Sequence, residues 1–197
     1  NPGRPIAVGP YAVSNYVMEA KKNQEIALEN AKAVILDVAE KFAKISGRHY
    51  GLFEEYRTQD AEMIMLIIGS AAGTAKQAVD ELREKGAKVG VLKLRVFRPF
   101  PAEEIAQALK NCKIVGIMDR CESYNGNGGP LGSEVTAGLF RYKVMIEAVN
   151  YIYGLAGRDF TVEDAKSVFV EMENAIATGV LPKQYQYIGL RSQEAER

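Results

Sequence analysis

The stretch 114–139 constrains the fold most, because a buried strand, a charged pair, a glycine-rich loop and a helix follow one another without a break. Residues 114–118 are apolar apart from one glycine, which is typical of a strand covered on both faces in a parallel sheet. Asp119 and Arg120 end this strand, a loop with three glycines follows, and Pro130 stands where proline favours the first helical turn. This order predicts the ligand-binding corner of an open α/β sheet.

Strand patterns and helix patterns alternate along the rest of the chain. The strand patterns lie at 51–57, 62–68, 89–96 and 144–153, and the helix patterns at 16–45, 71–82, 101–109 and 161–176. Such alternation predicts a mostly parallel open sheet with helices on both faces and right-handed crossovers. Residues 51–57 suit an edge strand, and Ser70 is placed to cap the helix that follows it.

The chain divides, on this interpretation, into three parts. Residues 1–50 would form a linker and a long helix that join an upstream domain, because Asn1-Pro2-Gly3 looks like the middle of a longer polypeptide. Residues 51–179 would form the α/β domain. Residues 180–197 are polar and are expected to form a C-terminal tail that lies along the surface or is partly disordered.

Composition limits the possible functions. Lys+Arg and Asp+Glu both number 25, so the net charge of zero indicates neither nucleic acid nor a membrane surface as a partner. No apolar run approaches the roughly 20 residues that span a bilayer. The 2 cysteines and 1 histidine exclude a four-cysteine iron–sulfur cluster and a multi-histidine metal site within this chain.

The predicted corner allows two interpretations. The glycine loop could hold an anion on backbone amides at the start of the helix, or its glycines could simply permit a tight turn and close packing. Asp119 and Arg120 could pair with a partner or substrate, or could form a local salt bridge that anchors the loop. Cys121 is best interpreted as an ordinary thiol. The candidate interface or ligand residues are Asp119, Arg120, Asn125, Gly126, Gly128, Gly129, Pro130 and Leu131. No residue is assigned a catalytic, cofactor-binding or metal-binding role.

A series of short motifs, in this order, resembles a known family. The motifs are G-R-H-Y-G (47–51), E-Y-R-T-Q-D-A-E (55–62), G-S-A-A-G-T-A (69–75), L-R-V-F-R-P-F-P (94–101), M-D-R (118–120), G-G-P-L (128–131) and G-L-A-G-R-D (154–159). They resemble the C-terminal part of the α subunit of pyruvate:ferredoxin oxidoreductases (pyruvate synthases), over about residues 1–179. The corresponding domain is similar to the C-terminal domain of transketolase.

The resemblance implies a cytoplasmic, multi-subunit enzyme that uses thiamine diphosphate, Mg²⁺ and iron–sulfur clusters. That enzyme converts pyruvate and coenzyme A to acetyl-CoA and CO₂ and reduces ferredoxin. The diphosphate motif and the cluster cysteines are missing here, so the resemblance implies that this chain binds none of these cofactors alone and is inactive in isolation. It would contact the upstream pyrimidine-binding domain and other subunits, with ferredoxin and coenzyme A acting on the complex.

Two other interpretations remain open at this stage. The same domain could belong to another 2-oxoacid:ferredoxin oxidoreductase. Alternatively, the chain could be a stand-alone module that binds a small anion at residues 119–131.

Overall fold

The computed structural model describes residues 2–3, 13–124 and 126–191, which divide into two units, residues 1–49 and 50–197. The first unit contains α1, Val17–Ser46, which ends at Gly47 in the left-handed conformation, φ 70°. This agrees with the helix predicted at 16–45. Along its predicted apolar stripe, Leu28 and Ile35 are half-buried, whereas Val38 is exposed. Most of the predicted linker lies outside the described residues.

The second unit is an α/β sheet structure. In chain order its elements are β1 (Phe53–Tyr56), β2 (Met63–Ile68), α2 (Ala71–Arg83), β3 (Val89–Leu94), α3 (Ala102–Leu109), β4 (Ile114–Asp119), α4 (Pro130–Arg141), β5 (Glu147–Ile152), α5 (Val162–Thr178) and β6 (Tyr185–Tyr187). The strand order is β1-β3-β2-β4-β5-β6. Among the strands of the described residues, only β1 pairs antiparallel, with β3, and it forms one edge as the sequence predicts.

Helices cover both faces of the sheet. Successive side chains of a strand point to opposite faces, so Met65 packs in one core and Leu66 in the other. The core around Met65 includes side chains of α2 and α5, such as Val79 and Phe169. The core around Leu66 includes those of α3 and α4. The predicted fold class, a mostly parallel open sheet with helices on both faces, is therefore confirmed.

The strand order reverses direction beside β2. From β2 the chain crosses to β3 on one side, and from β3 it crosses back to β4 on the other side of β2. The two connecting helices, α2 and α3, consequently lie on opposite faces. The connections that leave the adjacent strands β2 and β4 run in opposite directions, to β3 and to β5. Open α/β sheets bind ligands in the crevice at the carboxyl ends of two such strands.

One crossover differs from the prediction of uniform handedness. Both β4–α4–β5 and β5–α5–β6 step in the same direction along the sheet, but α4 and α5 lie on opposite faces. These two connections therefore have opposite hands. The helix α5 fills the α2 face beside β4, and the last strand then returns to the free edge of β5.

Part of the predicted C-terminal tail forms a short strand at the edge of the sheet. Residues Tyr185–Tyr187 form β6, which pairs in parallel with Asn150, Tyr151 and Ile152 of β5. Three residues are too few for a strand pattern to be recognised in sequence, and the tertiary edge of β5 supplies their backbone partners. No helix in the described ranges is long and apolar enough to cross a membrane.

Candidate functional site

Asp119, the last residue of β4, caps the N-terminus of α4. Its side chain is buried, with Oδ1 accepting the backbone N–H of Leu131 at 3.0 Å and Oδ2 that of Gly132 at 2.8 Å. These amides are among the first of α4, which lack partners within the helix and carry its positive dipole end. The chain's own carboxylate thus occupies the position at which the sequence suggested an external anion.

Asn150 on the neighbouring strand β5 completes this cap. Its Oδ1 accepts the N–H of Gly129 at 2.7 Å, and its Nδ2 donates to Asp119 Oδ2 at 2.9 Å and to the Ile117 carbonyl at 2.8 Å. Asn150 is not among the candidate residues predicted from the sequence. The signal was available, because an asparagine inside an otherwise apolar buried strand needs internal hydrogen-bond partners.

The glycines of the loop are required by this packing. A Cβ at Gly129 would lie 2.1 Å from Asp119 Cγ, and one at Gly128 would lie 2.2 Å from Asn150 Oδ1. Gly128 also has φ 91°, which L side chains rarely adopt. The tight-turn interpretation of the loop therefore describes this geometry. Gly126 is exposed, and Asn125 lies outside the described residues.

Burial and hydrogen bonding act in opposite directions on the Asp119 carboxyl. Burial raises its pKa, while the N–H groups of Gly132 and Leu131 and the Asn150 amide lower it. The net direction is upward, so burial disfavours the ionised carboxylate more than these three donors favour it. Burial and the nearby Asp119 charge also raise the pKa of Cys121. This supports the interpretation of Cys121 as an ordinary thiol.

Arg120 points away from its neighbour Asp119. Its Nε donates to the Gly154 carbonyl at 3.0 Å, and it makes no ion pair with any residue that the structure describes. The suggested salt bridge between Asp119 and Arg120 is therefore wrong, because Asp119 turns inward to the helix while Arg120 is exposed. The loop is anchored by hydrogen bonds to its backbone amides.

The crevice at the carboxyl ends of β2 and β4 has a volume of about 360 Å³. Its lining residues are Ile68, Gly69, Ser70, Ala71, Phe97, Met118, Asp119, Arg120, Cys121, Pro130 and Tyr153. An adjoining cavity of about 280 Å³ shares four of these and is lined by Ser70, Ala71, Thr74, Arg120, Tyr153, Arg158, Asp159 and Phe160. Both cavities reach the N-terminus of α2.

The N-terminus of α2 has no internal cap of the kind seen at α4. Gly69 turns the chain with φ 81°, and the Ser70 side chain makes no capping hydrogen bond. The prediction that Ser70 caps α2 is wrong, because its backbone is already helical, φ −70° and ψ −28°, and this geometry does not place the hydroxyl over the N3 amide. No acidic residue occupies the first turn.

The described residues do not fit a metal–diphosphate cofactor. Nowhere in residues 13–124 and 126–191 do three or more His, Cys, Asp or Glu side chains converge in a way that could hold a metal ion. The carboxylate nearest the crevice, Asp119, is engaged by two backbone amides and an asparagine. Mg²⁺ bound with a diphosphate requires free oxygen ligands, and this corner does not supply them.

Comparison with known proteins identifies related chains. Residues 61–165 match the family model described as pyruvate:ferredoxin oxidoreductase core domain II. The chain is 41% identical to pyruvate synthase subunit PorA of Methanocaldococcus jannaschii over 177 residues, which cover 89% of this chain and 44% of that protein. It is 38% identical to ketoisovalerate oxidoreductase subunit VorA of Pyrococcus abyssi over 188 residues, covering 95% and 47%. The chain thus spans about half the length of the curated relatives it matches.

A solved structure shows the same fold at low sequence identity. A chain of the 2-oxoglutarate:ferredoxin oxidoreductase from Magnetococcus marinus overlays with a TM-score of 0.51 and 18% identity. The overlay covers 82% of the present chain and 24% of that one.

Proposed function

The chain belongs to the pyruvate:ferredoxin oxidoreductase core domain II family, and we propose that it forms the C-terminal, structural part of the α subunit of a pyruvate:ferredoxin oxidoreductase. The observation that supports this most is the 41% identity to a pyruvate synthase subunit over nearly all of this chain but under half of that subunit. A domain that matches only part of a subunit is expected to work together with the remainder.

The proposed whole enzyme converts pyruvate and coenzyme A to acetyl-CoA and CO₂ with reduction of ferredoxin, in the cytoplasm. Thiamine diphosphate with Mg²⁺, and iron–sulfur clusters, would be held by the upstream pyrimidine-binding domain and by other subunits. The geometry of the corner supports this division of labour, because Asp119 and Asn150 stabilise a helix N-terminus and are not available to a cofactor.

The tip of the glycine loop is the part of the corner that we propose for subunit or domain contact. Asp119, Gly128, Gly129 and Leu131 are buried, so they support the loop and do not present a surface. Tyr124, beside the loop's exposed Gly126, is fully exposed, and an exposed tyrosine is a frequent anchor of protein interfaces. We expect amide hydrogen exchange at residues 122–128 to be slower in the complex than in the isolated chain.

A second candidate is the same domain of an oxidoreductase that acts on another 2-oxoacid. The observation that favours it is the 38% identity to a ketoisovalerate oxidoreductase subunit, close to the value for the pyruvate enzyme.

Purification of the complex that contains this chain tests both candidates. The complex should reduce ferredoxin with pyruvate and coenzyme A, and kcat/KM for pyruvate should exceed the values for 2-oxoisovalerate and 2-oxoglutarate. A higher kcat/KM for another 2-oxoacid would favour the second candidate. Ferredoxin reduction by the isolated chain, or its failure to associate with further subunits, would contradict both.

A further inference from the structure

We propose that the crevice at the carboxyl ends of β2 and β4 binds a small molecule that carries an oxyanion, phosphate or carboxylate, on an apolar body. Four features of the described residues converge there: the open N-terminus of α2, an unpartnered tyrosine hydroxyl, two arginines and an apolar wall. The inference is independent of the proposed function, since it depends only on groups that this chain itself presents.

The first feature is the start of α2, which faces the crevice through Ser70 and Ala71. The helix has 13 residues and neither a side-chain cap nor an acidic residue in its first turn. The amides of Ala72 and Gly73 bond to the carbonyls of Gly69 and Ser70. The amides of Ser70 and Ala71 and the helix dipole therefore present positive charge to the cavity. Anions bind at such helix ends.

The second feature is the side chain of Tyr153, which is 4% exposed and lines both cavities. Its ring packs on Phe160, with centroids 4.8 Å apart, but its hydroxyl hydrogen-bonds to none of the residues that the structure describes. Burial raises the pKa of this hydroxyl, so it remains protonated and able to donate. The ring is buried, whereas the hydroxyl oxygen is not fully enclosed by protein atoms. An acceptor within the crevice would therefore provide its hydrogen-bond partner.

The third feature is a pair of arginines. The single hydrogen bond from Arg120 Nε to Gly154 orients this side chain and leaves the terminal nitrogens for other acceptors. Arg158 lines the adjoining cavity and is held by a bond from Nη1 to the Gly189 carbonyl, 2.5 Å. Two carboxylates line the same walls, Asp159 in the adjoining cavity and Asp119 in the crevice. Asp119 is engaged by the amides of α4 and by Asn150, so the two guanidinium groups and the N-terminus of α2 face one carboxylate without such donors. Guanidinium groups bind phosphate and carboxylate oxygens through paired hydrogen bonds.

The fourth feature is the remaining wall of the crevice, which is apolar. Ile68, Phe97, Met118 and Pro130 line it beside the polar end. The volume of about 360 Å³ is at the lower end of the range for small-molecule sites. An apolar wall with a few convergent donors is the usual composition of such sites. The polar end would orient the oxyanion and the apolar wall would contain the body of the ligand.

Isothermal titration calorimetry of the full chain with phenyl phosphate tests the proposal, with phenylacetate as the carboxylate probe and phenol as the probe without an oxyanion. At least one anionic probe should bind, and phenol should bind at least about tenfold more weakly, because a charge-assisted hydrogen bond contributes that much. The anionic probe that binds more tightly identifies the oxyanion of the ligand as phosphate or carboxylate. Absence of binding by both anions, or equal binding of phenol, would overturn the proposal.

Variants locate the binding. Arg120→Gln should weaken binding of the preferred probe about tenfold and Tyr153→Phe about threefold to tenfold, whereas the matched control Arg141→Gln, in the last turn of α4, should leave it unchanged. Tyr153→Phe keeps the ring that packs on Phe160, so it provides a test even if Arg120→Gln impairs folding. Affinity unchanged in Tyr153→Phe and in folded Arg120→Gln would overturn the assignment of this crevice.

Discussion

The N-termini of α2 and α4 both follow strands at the centre of the sheet, but they differ in what neutralises them. At α4 the amides of Leu131 and Gly132 bind Asp119, and Asn150 binds the amide of Gly129. At α2 no side chain of the described residues caps the helix, and a cavity lies in front of it. One helix end is completed by the fold, and the other remains accessible.

The difference depends on the residue that ends the preceding strand. β4 ends in Asp119, whose carboxylate reaches the next helix, whereas β2 ends in Ile68 followed by Gly69, which offers no side-chain oxygen. Both turns contain glycine and would be classified alike from sequence. A glycine-rich turn between strand and helix therefore indicates an anion site only where the strand itself supplies no anion.

The largest effect is expected from removing the internal anion. Three N–H donors bind the Asp119 carboxylate. In Asp119→Asn the single side-chain oxygen accepts from two of them, and the new NH₂ group faces the third donor, to which it cannot bond. We expect the free energy of unfolding to fall by about 3 kcal/mol. Urea denaturation of the chain measures it. A loss below about 1 kcal/mol would show that the N-terminus of α4 does not need this carboxylate.

A glycine substitution at each helix end gives the next largest contrast. Gly129→Ala would bring a methyl group 2.1 Å from Asp119 Cγ and should destabilise the chain by about 2 kcal/mol. Gly73→Ala, in the first turn of α2, meets nothing within 4 Å and should stabilise it by about 0.5 kcal/mol through helix propensity. The difference between the two melting temperatures is the measurement, and equal shifts would contradict the contrast in packing.

The cap of α5 provides an intermediate reference. Thr161 accepts from the Asp164 amide at 3.1 Å and forms a capping box with the Asp164 side chain, all at the surface. Thr161→Ala should lower the free energy of unfolding by about 1 kcal/mol. If chemical denaturation showed a loss as large as that in Asp119→Asn, burial would not explain the strength of the α4 cap.

The smallest effect is expected at α2. The Ser70 hydroxyl makes no capping bond, so Ser70→Ala should change the free energy of unfolding by no more than about 0.5 kcal/mol. Urea denaturation under the same conditions measures this value. A loss near 1 kcal/mol would indicate that Ser70 does cap the helix in solution, and the helix end would then be less open than the structure shows.

Sequence patterns predicted most of the fold but little of the corner. The apolar runs of β2 and β4 and the glycine stops at Gly47 and Gly179 are local signals, and the structure has elements at all of them. The bonds of Asp119 to Leu131 and Asn150 join positions 12 and 31 residues apart, so only the folded sheet brings them together. Likewise β6 exists because β5 offers it an edge.

The opposite roles of the two helix ends can be tested directly by ¹⁵N NMR, with phenyl phosphate and phenylacetate each titrated into the full chain. We expect at least one of these anions to produce saturable shifts of the Ser70 and Ala71 amide resonances. The resonances of Gly129, Leu131 and Gly132 should stay in place because Asp119 and Asn150 already bind these amides. Saturable shifts at Gly129–Leu131, with Ser70 and Ala71 unaffected, would contradict this expectation.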